Sequence, residues 1–213
     1  MEAPVRPSGH RRPRLVVLVS GNGSNLQAVL DGCVDGPIEG EVAGVVSNRT
    51  DAFGLERARQ CGVPSMVLEP RDGETRHDYD ARLADAVAAF DPDHVVLAGW
   101  MRILTMGFLD RFPGRVLNLH PALPGELPGT RAIERAWDEA RSGVRDHSGV
   151  MVHLVPDDGI DDGPVLATRR VPISPTDSAE QFAARMHETE HQLLVEVLAE
   201  ICHTSHERSE AAL

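Results

Sequence analysis

The feature that most constrains this chain is an alternation. Short apolar runs of strand length are each followed by a stretch with helical spacing. Runs such as LVVLV and HVVLAG are near-continuously apolar, the pattern of strands buried on both faces. The spacing predicts strands at 15–20, 42–47, 63–68, 95–98, 116–120, 150–155 and 165–171. Helices are expected at 25–33, 53–61, 76–90, 107–111, 131–141 and 178–202. In the third of these, Leu83, Ala84, Val87 and Ala88 share one face. Such an order gives βαβ units, hence an α/β fold with a single doubly wound, mainly parallel sheet. No helical pattern separates the last two strands, so an antiparallel edge is expected there, closed by a long C-terminal helix. No internal repeat or second domain is visible, and 213 residues suffice for one such domain.

Charge and composition narrow the partners. The net charge of −12 comes without a basic stripe, which argues against nucleic acid. No apolar run is long enough to cross a membrane. The three cysteines, Cys33, Cys61 and Cys202, fit neither a disulfide framework nor a zinc ribbon, so a reducing, cytoplasmic setting is expected. Residues 1–14 are Pro-rich and basic without a signal-peptide core, and read as a disordered arm. The domain is expected over 15–203, with a polar tail at 204–213. The sequence leaves monomer or homodimer open.

Ligands of open α/β sheets sit at the carboxyl ends of the strands, so the residues just after each strand carry the functional reading. The first strand runs into Gly21-Asn22-Gly23-Ser24-Asn25, then a helix. Glycines allow close backbone approach, and free N–H groups at a helix start attract an anion. The third glycine of a dinucleotide loop is replaced by Leu26, and the Lys-Ser/Thr of a P-loop is absent, which points to a single phosphate. The other reading is a tight turn with Ser24 or Asn25 as a helix cap.

The strand RVLNLH places Asn118 and His120 on one face, with Leu117 and Leu119 on the other, and Pro121 ends it. Asp161 lies in an acidic loop between the last two strands. A carboxylate beside His120 favours imidazolium and is expected to raise its pKa. The three groups then suit acyl transfer to an amine: Asn118 and protonated His120 donate to the tetrahedral oxyanion, and Asp161 holds His120 and relays a proton. The competing reading makes His120 a satisfied core histidine and the acidic loop a solvated turn. A rival motif is His187-Glu188-Thr189-Glu190-His191, which fits the His-Glu-x-x-His zinc pattern but has no obvious third ligand.

With those residues in place, the chain resembles the phosphoribosylglycinamide formyltransferase family of folate-dependent enzymes. The matching stretches are VVLVSGNGSNLQAVLDGC, SNRTDAFGLERARQCGV, VVLAGWMRIL, LNLHPALPG, DDGPVL and ARMHETEH, in family order. The resemblance implies a Rossmann-like formyltransferase fold. It also implies transfer of a formyl group from 10-formyltetrahydrofolate, as co-substrate and without a metal, to the amine of 5-phosphoribosyl-glycinamide in purine synthesis. Position by position, Gly23, Ser24 and Asn25 match the phosphate loop and Glu190 a ribose contact. Met101, Arg102, Ile103 and Leu104 match the pteridine wall, Arg76 a residue near the folate tail, and Asn118, His120 and Asp161 the catalytic set. The chain departs from the usual bacterial pattern at Ala122-Leu123-Pro124-Gly125 and at Arg131, where the family carries a histidine. An amine acceptor of another kind, such as an amino sugar nucleotide, is the alternative, and a zinc hydrolase the remote one.

Overall fold

The computed structural model describes residues 11–211. The chain runs β1 (Arg14–Val19), α1 (Ser24–Val34), β2 (Glu41–Ser47), α2 (Phe53–Gln60), β3 (Ser65–Val67), α3 (Arg76–Ala88), β4 (His94–Leu97), α4 (Met106–Leu109), β5 (Val116–His120), α5 (Ala132–Arg141), β6 (His147–Leu154), β7 (Val165–Pro172) and α6 (Ala179–Ala211). Seven strands form one sheet in the order β3-β2-β1-β4-β5-β6-β7. The first five in that order pair in parallel; β5–β6 and β6–β7 are antiparallel. The expected class therefore holds, with one addition. The antiparallel edge begins at β5, although α5 lies between β5 and β6 in sequence.

Strand alternation builds two core layers. Leu15, Val17 and Val19 of β1 join Leu26, Val29 and Leu30 of α1 and Phe182, Met186, Leu194 and Leu198 of α6 on one face. Val16 and Leu18 join Tyr79, Leu83 and Val87 of α3, with Phe108 and Phe112, on the other. All of β1 from Leu15 to Val19 is fully buried, as the unbroken apolar run requires.

Chain order reverses beside β1. β2 and β3 lie to one side and β4 and β5 to the other, so β1 and β4 flank a topological switch point, where such sheets open a crevice. There the Ser20 N–H donates to the Gly99 carbonyl (3.1 Å) and the Met101 N–H to Ser20 Oγ (2.9 Å).

Two boundaries differ from the expectation. Residues 1–10 and 212–213 lie outside the described residues. Arg14 is already in β1, and Arg11 contacts Asp91 (3.1 Å) and Asp93 (2.9 Å). At the other end α6 continues past 203 to Ala211, because a helix anchored by packing propagates cheaply through residues such as Glu, Arg and Ala.

Gly44 of β2 faces the Phe90 ring, where an added Cβ would stand 2.5 Å from Cδ1. Gly44→Ala is expected to cost about 1–3 kcal/mol by overpacking. That lowers the melting temperature by about 2–4 °C per kcal/mol for a chain of this size. Calorimetric melting checks it; an unchanged midpoint would mean that Phe90 swings aside freely.

Candidate functional site

A cavity of about 790 Å³ opens at the carboxyl ends of β1, β4 and β5. Its wall contains every site residue expected from the sequence: Gly23, Ser24 and Asn25; Arg76; Met101 to Leu104; Asn118, His120 and Asp161; and Glu190.

The glycine loop is built for close approach. Gly23 has φ 73° at the start of α1, and a Cβ there would stand 2.7 Å from Gly54 Cα, so both conformation and packing demand glycine. Arg57 of α2 ties the loop down, with Nε donating to the Asn22 carbonyl (2.9 Å) and Nη2 to Asn22 Oδ1 (3.0 Å). No side chain caps α1, so Ser24 and Asn25 are not caps, and no side-chain cap takes up its first-turn N–H groups.

At the end of β5 three segments, β5 itself, the turn at Gly129 and β6, converge on Asp161. One carboxylate oxygen accepts from Asn118 Nδ2 (3.0 Å). The other accepts the Gly129 N–H (2.8 Å) and lies 3.2 Å from His120 Nδ1. Asp161 itself holds φ 55°, a left-handed conformation that a non-glycine residue keeps only where its surroundings fix it. His120 is 4% exposed. Its Nε2 faces the Leu127 carbonyl at 3.1 Å, and a carbonyl only accepts, so Nε2 carries the hydrogen. Nδ1, on the Asp161 side, is then the atom that gains or loses a proton.

His153 is the residue the sequence reading missed. It lies on β6 directly opposite Asn118 in the antiparallel register and is 2% exposed. Its Nδ1 donates to the Leu154 carbonyl (2.8 Å), and its Nε2 lies 3.2 Å from Asn118 Nδ2. Both amide hydrogens of Asn118 are thus aimed, one at Asp161 and one at His153. The signal lay in pairing β5 against β6, which the intervening helix concealed. Leu127, Gly129 and Arg135, which shape the strap over His120, carried no sequence signal of function. Arg135 Nη2 donates to the Leu127 carbonyl (2.6 Å) and so competes for the oxygen that holds His120.

The electrostatics correct one expectation. His120 has its pKa lowered, not raised: burial disfavours the imidazolium most, and the nearby His153 and Arg135 add to it. Asp161 and the Leu127 carbonyl oppose that shift without reversing it. For Asp161, burial pushes the carboxyl up. The His153 ring, the Gly129 N–H and the His120 ring together outweigh burial and hold it below its ordinary value. Asp161 is therefore ionised at neutral pH while His120 rests neutral, ready to accept a proton.

The remaining residues divide the wall. Met101 is 64% exposed into the opening and Leu104 is buried beneath it. Arg102 stacks its guanidinium 4.5 Å above the Tyr79 ring, and Arg76 opens α3 at the rim. From α6, Glu190 is 5% exposed and its Oε1 lies 3.5 Å from Asn25 Nδ2. Arg131, at the start of α5 with φ 59°, also lines the cavity. The zinc pattern fares differently. His187 Nδ1 is engaged by Glu190 Oε2 at 2.7 Å, and among the described residues no three His, Cys, Asp or Glu side chains are placed so that they could hold a metal ion.

Because Asp161 raises what burial lowers, its loss should drop His120 further. An NMR titration is expected to place His120 below the ordinary 6.5 in the wild type, and lower still in Asp161→Asn. A wild-type midpoint above 6.5, or an upward move in the variant, would contradict this assignment of causes.

Comparison with known proteins agrees with this geometry. The family model described as formyl transferase matches residues 13–198. A phosphoribosylglycinamide formyltransferase of Dictyostelium discoideum is 39% identical over 195 residues, covering 85% of this chain and 94% of that one. The protein of the same description from Escherichia coli is 42% identical over 179 residues, covering 84% and 82%. Among solved structures, glycinamide ribonucleotide transformylase 1 from Symbiobacterium toebii superposes with a TM-score of 0.85 at 39% identity, covering 92% and 90%. The chain therefore belongs to the formyl transferase family.

Proposed function

We propose that this chain transfers the formyl group of 10-formyltetrahydrofolate to the amine of 5-phosphoribosyl-glycinamide, in the cytoplasm, giving the N-formyl product used in purine synthesis. The observation that carries the reading is a juxtaposition. The Asn118 amide, the His120 ring and the Asp161 carboxylate meet at one end of a cavity whose other elements include an uncapped glycine loop. The relatives described as phosphoribosylglycinamide formyltransferases support the same reaction.

The residues divide the work as follows. The N–H groups of Gly23, Ser24 and Asn25 take the acceptor's phosphate, helped by the α1 dipole, and Glu190 takes a ribose hydroxyl. The pteridine of the folate lies along Met101, Arg102, Ile103 and Leu104, with Arg76 toward its acidic tail. Nucleophilic attack forms a bond from the acceptor's amine nitrogen to the formyl carbon, and the formyl oxygen becomes an oxyanion. Asn118 Nδ2 donates to that oxygen by giving up one of its two resting partners, His153 Nε2 or the Asp161 carboxylate. The amine proton passes to His120 Nδ1, and the ionised Asp161 stabilises the imidazolium that forms. Breakage of the bond from carbon to folate N10 returns the proton to that nitrogen. Proton and electron-pair transfers balance within the two substrates, and no metal is required.

The neutral resting state of His120 suits it as the base in this scheme. Activity is accordingly lost as pH falls through its lowered pKa.

The test is a formyl-transfer assay following release of the deformylated folate. Product is expected only when both substrates are present, and His120→Ala is expected to lower kcat by roughly 10²–10⁴. Folate release without the ribonucleotide would indicate a hydrolase instead. Binding of folate without any transfer would move the acceptor to another amine, such as an amino sugar.

A further inference from the structure

The motif left over from the sequence is His187-Glu188-Thr189-Glu190-His191, of which the proposed reaction uses only Glu190. We infer that His187 is a positioning residue of the acceptor's subsite: it holds the Glu190 carboxylate toward Asn25 and the phosphate loop, so that acceptor binding, and not the chemical step, depends on it. The inference rests on the function proposed above.

The geometry is a short chain of contacts from α6 to α1. His187 and Glu190 stand three residues apart on α6, neighbours on the helix surface. His187 Nδ1 lies 2.7 Å from Glu190 Oε2, and Glu190 Oε1 lies 3.5 Å from Asn25 Nδ2. The Glu190 side chain is 6% exposed, whereas His187 is half-exposed. A carboxylate withdrawn from water needs charge or hydrogen-bond compensation. Among the described residues, the hydrogen-bond partners of Glu190 are these two side chains. Asn25 Oδ1 is buried without a partner of its own, and Asn25, His187 and Glu190 all line the same cavity as Gly23 and Ser24. His187 thus fixes one oxygen of the carboxylate and leaves the other for Asn25 and the ligand.

The charges around the ring set its state. The hydrogen bond with Glu190 raises the His187 pKa, burial opposes it, and Glu134 of α5 adds to the rise. His191, one turn on, is pushed down by burial; Glu190 and Glu188 oppose that shift, while His187 and Arg57 of α2 add to it. His187 therefore holds its proton to higher pH than an ordinary imidazole and loses it as pH rises further. With it goes the counter-charge that holds Glu190. The shift is opposite in direction to that of His120, so the two histidines give different pH dependences to different parameters.

Steady-state kinetics of the full chain, His187→Gln and His187→Ala across roughly pH 6 to 9 test this. In the wild type, KM for the ribonucleotide should rise toward alkaline pH more steeply than in either variant. Titrations of the ribonucleotide itself are common to all three proteins and cancel in the comparison. His187→Ala should raise that KM by about tenfold at neutral pH, the effect of losing a hydrogen bond to a charged group. His187→Gln, which keeps a donor, should recover most of the affinity while losing the pH dependence. Folate KM and kcat should stay near wild type in both. Wild-type ribonucleotide KM and pH profile in His187→Ala, or an equal rise in folate KM, would overturn the role of His187 while leaving the reaction intact. A wild type that transfers nothing to the ribonucleotide would overturn the reaction and this inference with it.

Discussion

The Asp161 carboxylate is the contact on which the site depends. It is reached from β5 by Asn118 and His120, from the strap before α5 by the Gly129 N–H, and from β6 by His153 at 3.7 Å. Three other stretches of the chain are thereby pinned to one charge. The arrangement is costly by itself, since it buries a carboxylate and holds its backbone in a left-handed conformation. It persists because the carboxylate oxygens are satisfied by donors already fixed in the sheet and strap. The same contacts orient the groups that the proposed chemistry uses. Asn118 has both amide hydrogens aimed, and His120 has its Nε2 committed to the Leu127 carbonyl, which leaves Nδ1 as the reactive nitrogen.

Fold and chemistry are linked through the reversal of strand order beside β1. That reversal opens the crevice between β1 and β4; the loop after β1 supplies the glycine loop, the loop after β4 the apolar wall, and β5 with the β6–β7 loop the polar cluster. α6 closes the other side. The packing that buries Phe182, Met186 and Leu194 against the sheet also delivers His187 and Glu190 to the cavity. The long closing helix is thus part core and part cavity wall.

Much of this was legible in the residues. Continuous apolar runs gave the buried strands. Period two on β5 gave the shared face of Asn118 and His120, because that face follows from local geometry alone. What depended on tertiary pairing was hidden. His153 becomes a partner of Asn118 only through the antiparallel β5–β6 register, which no local pattern encodes. The pKa of His120 is a balance of burial against a nearby carboxylate. The sequence displays the carboxylate, whose raising effect the structure retains, but not the depth of burial that outweighs it. The zinc pattern on α6 shows the converse. Spacing placed two histidines on one helix face, but only the contacts reveal that one of them is committed to Glu190.

In the proposed reaction one cavity brings a phosphate-bearing amine and a formyl donor together at Asn118, His120 and Asp161. A crystal structure with the ribonucleotide and a non-transferring folate analogue tests this. The phosphate is expected on the N–H groups of Gly23 to Asn25. The analogue's carbon at the reacting position is expected within contact of the Asn118 amide and His120 Nδ1, with the acceptor's amine beside it. A phosphate bound away from the glycine loop, or a reacting carbon remote from His120 and Asp161, would contradict it.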